Sequence, residues 1–157
     1  MIRKPFAAFG RILYANYYDK GDVVEVHTDA ASKIVLYFSE GNFTARNKES
    51  GVLEVQCDPG WFSYGNHQNR TLLCTANDPT VCWGYDPEVN QGYVPEIKPF
   101  QLLPGQTLTA PVGTKLFLCT GTLLVNQMQH MGPYQIAVRT AEAKLTAVTD
   151  VYGLLFE

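Results

Sequence analysis

The stretch that decides the fold is Lys33-Ile-Val-Leu-Tyr-Phe-Ser-Glu-Gly41-Asn-Phe-Thr-Ala-Arg-Asn47. An apolar and aromatic run leads to a glycine, and a second run containing Phe, Thr and Ala follows it. Short runs of this kind on either side of a glycine turn are typical of a β-hairpin. The same order recurs at Lys115-Leu-Phe-Leu-Cys-Thr-Gly121-Thr-Leu-Leu-Val-Asn126, so that a lysine opens each hairpin and an asparagine closes it.

The sequences that flank the two hairpins also correspond. Lys20-Gly21-Asp22 lies before the first hairpin, and Pro104-Gly105-Gln106 lies before the second. Trp83-Gly84-Tyr85 ends the first copy, and Tyr152-Gly153-Leu154 ends the second. Similarity in a fixed order indicates a repeated architecture, although any all-β chain repeats the order strand, glycine, strand. We interpret the pattern as two diverged copies of one hairpin-rich unit.

Turn signals separate the strand-like runs about every ten residues, a spacing typical of a sandwich or barrel. We predict an all-β fold with little or no helix, in which two tandem β-sandwich units pack together because neither copy is long enough to bury a large core alone. The polar, turn-rich stretch after Tyr85 is typical of a linker. The predicted boundaries are an N-terminal arm at 1–19, a first unit at 20–86, a linker at 87–96 and a second unit at 97–157.

The composition argues against several classes of protein. Of the 157 residues, 46% are hydrophobic, which is enough to form a buried core. The formal net charge is −3 and there is no basic run, which argues against a nucleic-acid partner because phosphate binding needs clustered Lys and Arg. No apolar stretch approaches the roughly 18 residues that span a bilayer, and none resembles a signal peptide. We therefore predict a cytoplasmic protein with no membrane partner.

The cysteines indicate neither a zinc site nor an obvious disulfide framework. Their spacing does not match the paired Cys-x-x-Cys pattern of structural zinc sites. We predict reduced thiols, buried as small apolar side chains. Cys74 and Cys82 flank a predicted turn at 77–80, so a disulfide between them stays open as an alternative. The four cysteines are Cys57, Cys74, Cys82 and Cys119.

The order of strands and of Pro-Gly or Lys-Gly turns in each copy resembles a cupin-type jelly roll. One stretch that carries the resemblance is Leu103-Pro-Gly-Gln-Thr-Leu-Thr-Ala-Pro-Val-Gly-Thr114, which is similar to the second cupin motif. The other is Val55-Gln-Cys-Asp-Pro-Gly-Trp-Phe-Ser-Tyr-Gly65. The resemblance implies that each copy folds as a cupin-like jelly roll.

The chain departs from the cupin pattern at the metal ligands. A metal-binding cupin has a histidine a residue or two beyond the position of Thr114, whereas Lys115 and Leu116 stand there. The first cupin motif needs two histidines one residue apart with a glutamate following, and this chain has no such pair. We therefore predict no metal and no other cofactor. The only histidines are His27, His67 and His130.

No stretch carries the local signature of a catalytic site. There is no Gly-x-Ser-x-Gly elbow, no serine or cysteine has a local base partner, and the glycines form no phosphate-binding loop. The acidic residues Glu25, Glu54 and Asp58 are separated across predicted strands, as in any sandwich. We predict that the protein is not an enzyme.

Aromatic residues crowd the N-terminus, in a region that has no equivalent before the second copy. Aromatic side chains beside basic ones are typical of surfaces that bind another protein. A charge-poor β-sandwich with such an arm is similar in style to small virion accessory proteins of tailed bacteriophages, whose jelly rolls decorate or clamp a capsid or tail. The predicted interface consists of Arg3, Phe6, Phe9, Tyr14, Tyr17 and Tyr18.

That similarity implies a structural protein, namely a bacteriophage virion component assembled in the host cytoplasm. Its partners would be other virion or self subunits in a homo-oligomer, bound through β edges, aromatic surface and the arm. An alternative stays open, in which the chain is a metal-independent cupin that binds or isomerises a small molecule such as a sugar. For that alternative the expected binding residues are Glu54, Trp61, Tyr64 and His67.

Overall fold

The computed structural model describes residues 1–29, 33–64 and 68–157. The chain divides into two compact units: unit 1 is Met1–Ala7 with Arg11–Val94, and unit 2 is Ala8–Gly10 with Pro95–Glu157. Within the described ranges the one helical segment is a 3₁₀ turn at Pro87–Asn90. No helix in that part of the chain has the length and apolar character needed to cross a membrane. The predicted all-β class with little or no helix is confirmed.

Unit 1 is a two-sheet sandwich. One sheet has the strand order β1-β2-β9-β4-β7 and the other has the order β3-β8-β5-β6. The strands are β1 (Ile2–Ala8), β2 (Arg11–Tyr18), β3 (Val23–Thr28), β4 (Val35–Glu40), β5 (Phe43–Asn47), β6 (Leu53–Cys57), β7 (Phe62–Tyr64), β8 (Arg70–Ala76) and β9 (Thr80–Tyr85).

Unit 2 repeats this architecture. Its sheets have the orders β10-β17-β12-β15 and β11-β16-β13-β14, which are the orders of unit 1 when β2 to β9 are matched to β10 to β17. The predicted repeat is therefore confirmed as a repeat of topology. The strands are β10 (Ile97–Leu102), β11 (Thr107–Ala110), β12 (Lys115–Thr120), β13 (Leu123–Val125), β14 (Gln129–Met131), β15 (Tyr134–Ala137), β16 (Ala143–Ala147) and β17 (Val151–Phe156).

The two turn glycines that suggested the repeat occupy equivalent places. Gly41 ends β4 with φ +72°, and Gly121 ends β12 with φ +99°. A Cβ atom on Gly41 would clash with the backbone carbonyl oxygen of Pro79, and one on Gly121 would clash with that of Asp150. Each glycine therefore adopts a left-handed turn conformation and also leaves room for a nearby backbone segment. That segment is the β8–β9 connection at Gly41 and the β16–β17 connection at Gly121.

The turns that open each sandwich are also equivalent. Gly21 N donates to Ala76 O at 2.8 Å, and Gly105 N donates to Ala147 O at 2.8 Å. These turns therefore fasten the start of β3 to the end of β8, and the start of β11 to the end of β16, as the matching flanks predicted.

One predicted correspondence within the hairpins is wrong by two residues. Counted from Gly41 and Gly121, Lys115 corresponds to Val35 and not to Lys33. Val35 pairs with the last residue of β9, and Lys115 pairs with the last-but-one residue of the chain, which ends β17. The apolar run of the first hairpin therefore begins two residues later than the shared lysine suggests.

The terminal glycines of the two copies are likewise displaced by two residues. Gly84 corresponds to Leu155, whereas Gly153 corresponds to Cys82, because these residues pair with equivalent positions of β4 and β12. A shift of two residues keeps every side chain on the same face of a strand. The alternation of apolar residues therefore could not reveal the error.

Residues 1–19 are not a separate arm. They form the hairpin β1–β2, and β2 pairs with β9 from Tyr14–Gly84 to Tyr18–Thr80, in the place that β10 occupies beside β17. The physical reason lies in β2 itself, which alternates like a sheet strand and fully buries Leu13 and Ala15.

The predicted linker begins with a structured turn. Asn90 of the 3₁₀ turn accepts a hydrogen bond from Ile12 N at 2.7 Å and donates one to Ile12 O at 3.1 Å. The start of the 87–96 segment is thereby fastened to β2. The chain passes from unit 1 to unit 2 between Val94 and Pro95, which lie within this segment.

The interiors of the two sandwiches differ in the size of their side chains. The core of unit 2 is built on four leucines that are almost completely buried, namely Leu116, Leu118, Leu123 and Leu145. The core of unit 1 has smaller residues between its two phenylalanines. It contains Phe38, Phe43, Ala45, Cys57, Leu72, Cys74, Ala76 and Cys82.

Replacing Gly41 by alanine tests the close approach at the β4–β5 turn, with Gly51→Ala as its matched control. Both glycines have φ +72°, but a Cβ on Gly51 meets no atom within 4 Å. We expect Gly51→Ala to lower the free energy of unfolding by about 1 kcal/mol, from the backbone conformation alone. Gly41→Ala should lower it by at least about 2 kcal/mol more, because backbone atoms must move. Urea unfolding followed by circular dichroism measures both, and equal losses would contradict this account of the turn.

Candidate functional site

Equivalent interior positions of the two sandwiches carry different side chains. In unit 2, Phe100 of β10 pairs with Gly153, and its ring occupies the space that a side chain on Gly153 would need. Leu155 packs beside it against the same core. In unit 1 the residues that correspond to Phe100 and Leu155 are Asn16 and Gly84. An amide and a hydrogen atom thus replace two apolar side chains, while Cys82 of unit 1 has a side chain where unit 2 has Gly153.

A cavity of about 80 Å³ lies where unit 1 lacks those side chains. Alternation along β2 places Tyr14 and Asn16 on the interior face, since they pair with Gly84 and Cys82. The site therefore depends on β2, the strand that the sequence suggested was an arm. The cavity is lined by Arg3, Tyr14, Asn16, Ile34, Leu36, Gly84, Tyr85 and Asp86.

Arg3 is the cationic group of this cavity. Its Nε donates a hydrogen bond to Asn16 Oδ1 at 2.8 Å, and its guanidinium carbon lies 5.1 Å from the centroid of the Tyr14 ring. Among the described residues, no carboxylate lies within ion-pair distance of Arg3. The guanidinium is therefore oriented by two neighbours but keeps its terminal N–H donors available.

Asn16 supplies a second donor. Its side chain is only 5% exposed, and its Oδ1 is occupied by Arg3. No acceptor in the described part of the chain binds its Nδ2. An ideal Cβ built on Gly84 would lie 3.7 Å from that nitrogen, so the open space at Gly84 is what leaves Nδ2 accessible. Since no fully buried side-chain polar atom of the described residues lacks a partner, Nδ2 is open to solvent through the cavity, where a ligand acceptor can replace water.

A wider groove of about 400 Å³ adjoins the cavity, since both are lined by Ile34 and Asp86. Three carboxylates and one ammonium group line the groove, which makes its rim acidic. Asp86 also caps the 3₁₀ turn, because its Oδ1 accepts a hydrogen bond from Glu88 N at 2.9 Å. The groove is lined by His27, Asp29, Lys33, Ile34, Asp86, Pro87 and Glu88.

The residues predicted for a ligand site do not line this cavity. Glu54 forms an ion pair with Arg70, and Trp61 packs edge-on against Phe38 with ring centroids 5.7 Å apart. Tyr64 lies exposed on β7, and its backbone pairs with Val35. His67 lies outside the described residues. Their role in binding stays a prediction.

The residues predicted for an interface point to several places. Arg3 and Tyr14 line the cavity, whereas Tyr18 packs into the core of unit 1 with its ring centroid 4.7 Å from that of Phe43. Burial raises the pKa of Tyr18 to about 12, with smaller contributions from nearby Cys82, Cys74 and Asp22. A tyrosine held in this way has little surface to offer a partner.

The other three predicted interface residues also have separate neighbours. The ring centroids of Phe6 and Trp83 lie 5.1 Å apart, and Lys4 Nζ lies 5.2 Å from the ring centroid of Tyr17. Within unit 2, Phe9 N donates to Gln135 Oε1 at 3.1 Å, and its ring lies 5.8 Å from that of Phe156. The six residues therefore do not form one continuous patch, and an interface built on them stays a prediction.

Sequence reasoning missed Asn16, Gly84 and Asp86 as site residues. The available signal was Asn16, a polar residue within an otherwise apolar and aromatic run from Ile12 to Tyr18. Gly84 could be identified only from the sheet register, which shows that it stands where unit 2 has the side chain of Leu155.

The structure brings no metal-ligand set together in the described ranges. No group of three or more His, Cys, Asp or Glu side chains there has the arrangement needed to hold a metal ion. Among the described residues that line the cavity, Asp86 is the one carboxylate and no histidine stands beside it, whereas a metal-binding cupin uses several histidines. The residues of this cavity therefore do not fit the metal of metal-binding cupins.

Three thiols lie in the core of unit 1, and none is paired. Cys74 and Cys82 do not flank a hairpin, because β8 and β9 belong to different sheets. Burial raises the pKa of Cys57 to about 12, with Cys74 and Asp58 adding to the effect. Burial likewise raises the pKa of Cys74 and of Cys82. These thiols are packing groups and poor nucleophiles at neutral pH.

No protein-family model matches the chain, and no curated protein matches it in sequence. Solved structures do match. A conserved protein of unknown function from Pseudomonas aeruginosa has a TM-score of 0.55 and 14% identity, covering 99% of this chain and 89% of that chain. The protein YhaK from Escherichia coli has a TM-score of 0.52 and 15% identity, covering 99% of this chain and 92% of that chain.

A mutant of the salicylate 1,2-dioxygenase from Pseudoaminobacter salicylatoxidans is also similar. Its TM-score is 0.52 and its identity is 9%, covering 94% of this chain and 72% of that chain. At such identities the likeness concerns the fold alone. The predicted fold class of two cupin-like jelly-roll units is confirmed.

The buried thiols should make the protein less stable in alkali. Unfolded thiols ionise near pH 8.5, while burial keeps Cys57 protonated to about pH 12. The unfolded state therefore loses protons first, and the free energy of unfolding falls as the pH rises above about 8.5. Replacing Cys57 and Cys82 by alanine should reduce this slope by up to about 1.4 kcal/mol per pH unit for each thiol.

Urea unfolding under reducing conditions measures how steeply the free energy of unfolding falls with pH. The measurements cover roughly pH 8 to 11, a range set by the thiol pKa values. The small cavities left by the missing sulfur atoms lower stability equally at every pH, so only the slope reports the thiols. Because the pKa of Tyr18 is also raised by burial, the free energy of unfolding falls further above about pH 10 in both the original protein and the double variant. An unchanged slope in the double variant would show that the thiols are not kept protonated by burial.

Proposed function

We propose that unit 1 binds a small polar molecule through the cavity lined by Arg3 and Asn16, without a metal ion. The observation that carries the proposal is a pair of side-chain donors that line one cavity and bind no acceptor among the described residues, namely the terminal N–H groups of Arg3 and Nδ2 of Asn16. Small-molecule sites are typically concave, with a few polar groups converging on a largely apolar wall.

Both donors are open to solvent, since Arg3 is exposed and no fully buried side-chain polar atom in the described part of the chain lacks a partner. A ligand therefore has to replace water at these groups. A hydrogen bond to a charged group contributes about 1.5–3 kcal/mol, which favours a ligand that offers acceptor atoms to both Arg3 and Asn16. Unit 2 has a leucine-filled core, and we assign it a structural role in the same chain.

The assembly role in a virion stays a prediction, as do the homo-oligomer and the virion or cytoplasmic location. In the predicted arm, the edge strand available for pairing with a partner is β1. Lys4 and Pro5 lie within that strand. Lysine and proline on an edge strand oppose the addition of another strand, which is why we place ligand binding first.

Proton–nitrogen NMR correlation spectra of the labelled full chain test the proposal. The probes are small carboxylates, amines, amides and sugars, each at about 10 mM, a concentration that detects millimolar binding. We expect at least one class to shift the amide signals of Tyr14 to Asn16 and of Gly84 to Tyr85. The signals of Leu116 to Leu118, at the corresponding depth of unit 2, should not move.

The variant Gly84→Ala narrows the cavity and should weaken binding several-fold. The fold should tolerate it, because a Cβ there meets its nearest neighbours at ordinary contact distances of 3.7–3.9 Å. Gly132→Ala is the matched control, since Gly132 also lacks a positive φ and has open space around it. If no probe shifts the β2 and β9 signals, or if Gly84→Ala leaves binding unchanged, unit 1 does not bind ligands at this cavity.

A further inference from the structure

We infer, on the basis of the proposed binding role of unit 1, that the ligand is a small zwitterionic acid. Its carboxylate is bound in the cavity by Arg3 and Asn16, and its ammonium group lies in the adjoining acidic groove. The inference rests on the arrangement of the two spaces. The inner cavity has the donor groups of Arg3 and Asn16, the groove has more carboxylates than ammonium groups among its described residues, and Asp86 lines both.

The inner cavity selects a carboxylate by geometry. The Nε atom of Arg3 donates to Asn16 Oδ1, and the guanidinium carbon lies 5.1 Å from the centroid of the Tyr14 ring, so these two contacts orient the guanidinium of this exposed residue. Asn16 Nδ2 is a neighbouring donor with no protein acceptor. A carboxylate presents two acceptor oxygens in one plane, which suits an oriented guanidinium and one further N–H donor.

The size of the cavity argues for the same group. A volume of about 80 Å³ is roughly that of two or three water molecules in the liquid. A carboxylate and the carbon next to it fit into such a space. A sugar ring does not, and would have to remain in the outer groove.

The groove selects the other end of the ligand by charge. Among the described lining residues, Asp86 and Glu88 outnumber Lys33 even when Asp29 is left out, so this part of the rim carries an excess of negative charge. This field attracts an ammonium group and repels a second carboxylate or a phosphate. Because Asp86 lines both spaces, a single short molecule can extend from one into the other.

A matched set of six-carbon probes tests the inference by NMR titration at low ionic strength. The probes are 6-aminohexanoate, hexanoate, hexylamine and adipate, with inorganic phosphate as a further anion and the four-carbon analogues as a test of length. We expect 6-aminohexanoate or its four-carbon analogue to bind most tightly, followed by the plain monocarboxylate. The dicarboxylate, the amine and phosphate should bind at least about 10-fold more weakly, as expected when one charged hydrogen bond is lost or one repulsion is added.

Two variants separate the ends of the ligand. Arg3→Gln should weaken binding of the amino acid by about 10-fold or more, and Arg3→Lys, which keeps the charge but not the planar fork, should have an intermediate effect. Arg46→Gln is the control, because Arg46 is exposed and has only one long hydrogen bond, to Gly51 O at 3.4 Å. Asp86→Asn keeps the helix cap and should reduce the preference for 6-aminohexanoate over hexanoate by roughly 2- to 5-fold.

The possible outcomes distinguish this inference from the proposed function. If hexylamine or a sugar binds as well as the amino acid and Arg3→Gln changes nothing, the ligand class is wrong. Unit 1 remains a binding unit in that case, provided that Gly84→Ala still weakens the observed ligand. If the monocarboxylate binds as tightly as the amino acid and Asp86→Asn has no effect, the groove does not select the ammonium end. Loss of all binding signals in every titration would remove the proposed function itself.

Discussion

The alternation of side chains along β2 and β9 is the constraint on which the rest of the site depends. Residues on the interior face of these strands must either fill the space between the two sheets or leave it open, because protein interiors are close-packed. In unit 2 the equivalent strands supply Phe100 and Leu155, and the space is filled. In unit 1 they supply Asn16 and Gly84, and a cavity remains. The same topology therefore gives a packed core in one copy and a polar site in the other.

The strand β1 adds a positively charged side chain, Arg3, to the lining of that cavity. It has no counterpart in unit 2, and it pairs beside β2 so that Arg3 reaches Asn16. The tight turn between β1 and β2 makes this approach possible, with φ +52° at Phe9 and +78° at Gly10. Two residues in the left-handed region are typical of a turn that matches the twist of paired strands. The N-terminal segment thus brings Arg3 to the cavity through ordinary sheet pairing.

The sequence predicted the architecture well, because short apolar runs, turn glycines and a repeated order are local signals. The correspondence of Gly41 with Gly121 follows from a demand that both turns share, namely a left-handed residue pressed against a neighbouring backbone. The register at the ends of the copies could not be predicted in the same way. A displacement of two residues leaves the inward and outward faces unchanged, so Gly84 and Gly153 looked equivalent although Gly84 corresponds to Leu155.

The site was harder to predict because its parts are distant in the sequence and carry no motif. Arg3 and Tyr14 were selected for their residue types, but as members of a surface and not of a cavity. Only the pairing of β2 with β9 shows that Tyr14 and Asn16 face the interior beside Gly84. Glu54 and Trp61, which seemed better candidates, are engaged by Arg70 and Phe38.

The contrast between the copies also gives the cavity a physical meaning. Phe100 and Leu155 are partly buried and pack against the core of unit 2. Asn16 and Gly84, at the corresponding positions of unit 1, instead leave an amide donor beside open space. Because unit 2 has the same strand order with apolar residues at these positions, the topology itself does not require the cavity. A polar cavity that the fold does not require is consistent with a binding role, since departures from a well-packed core are expected at functional sites.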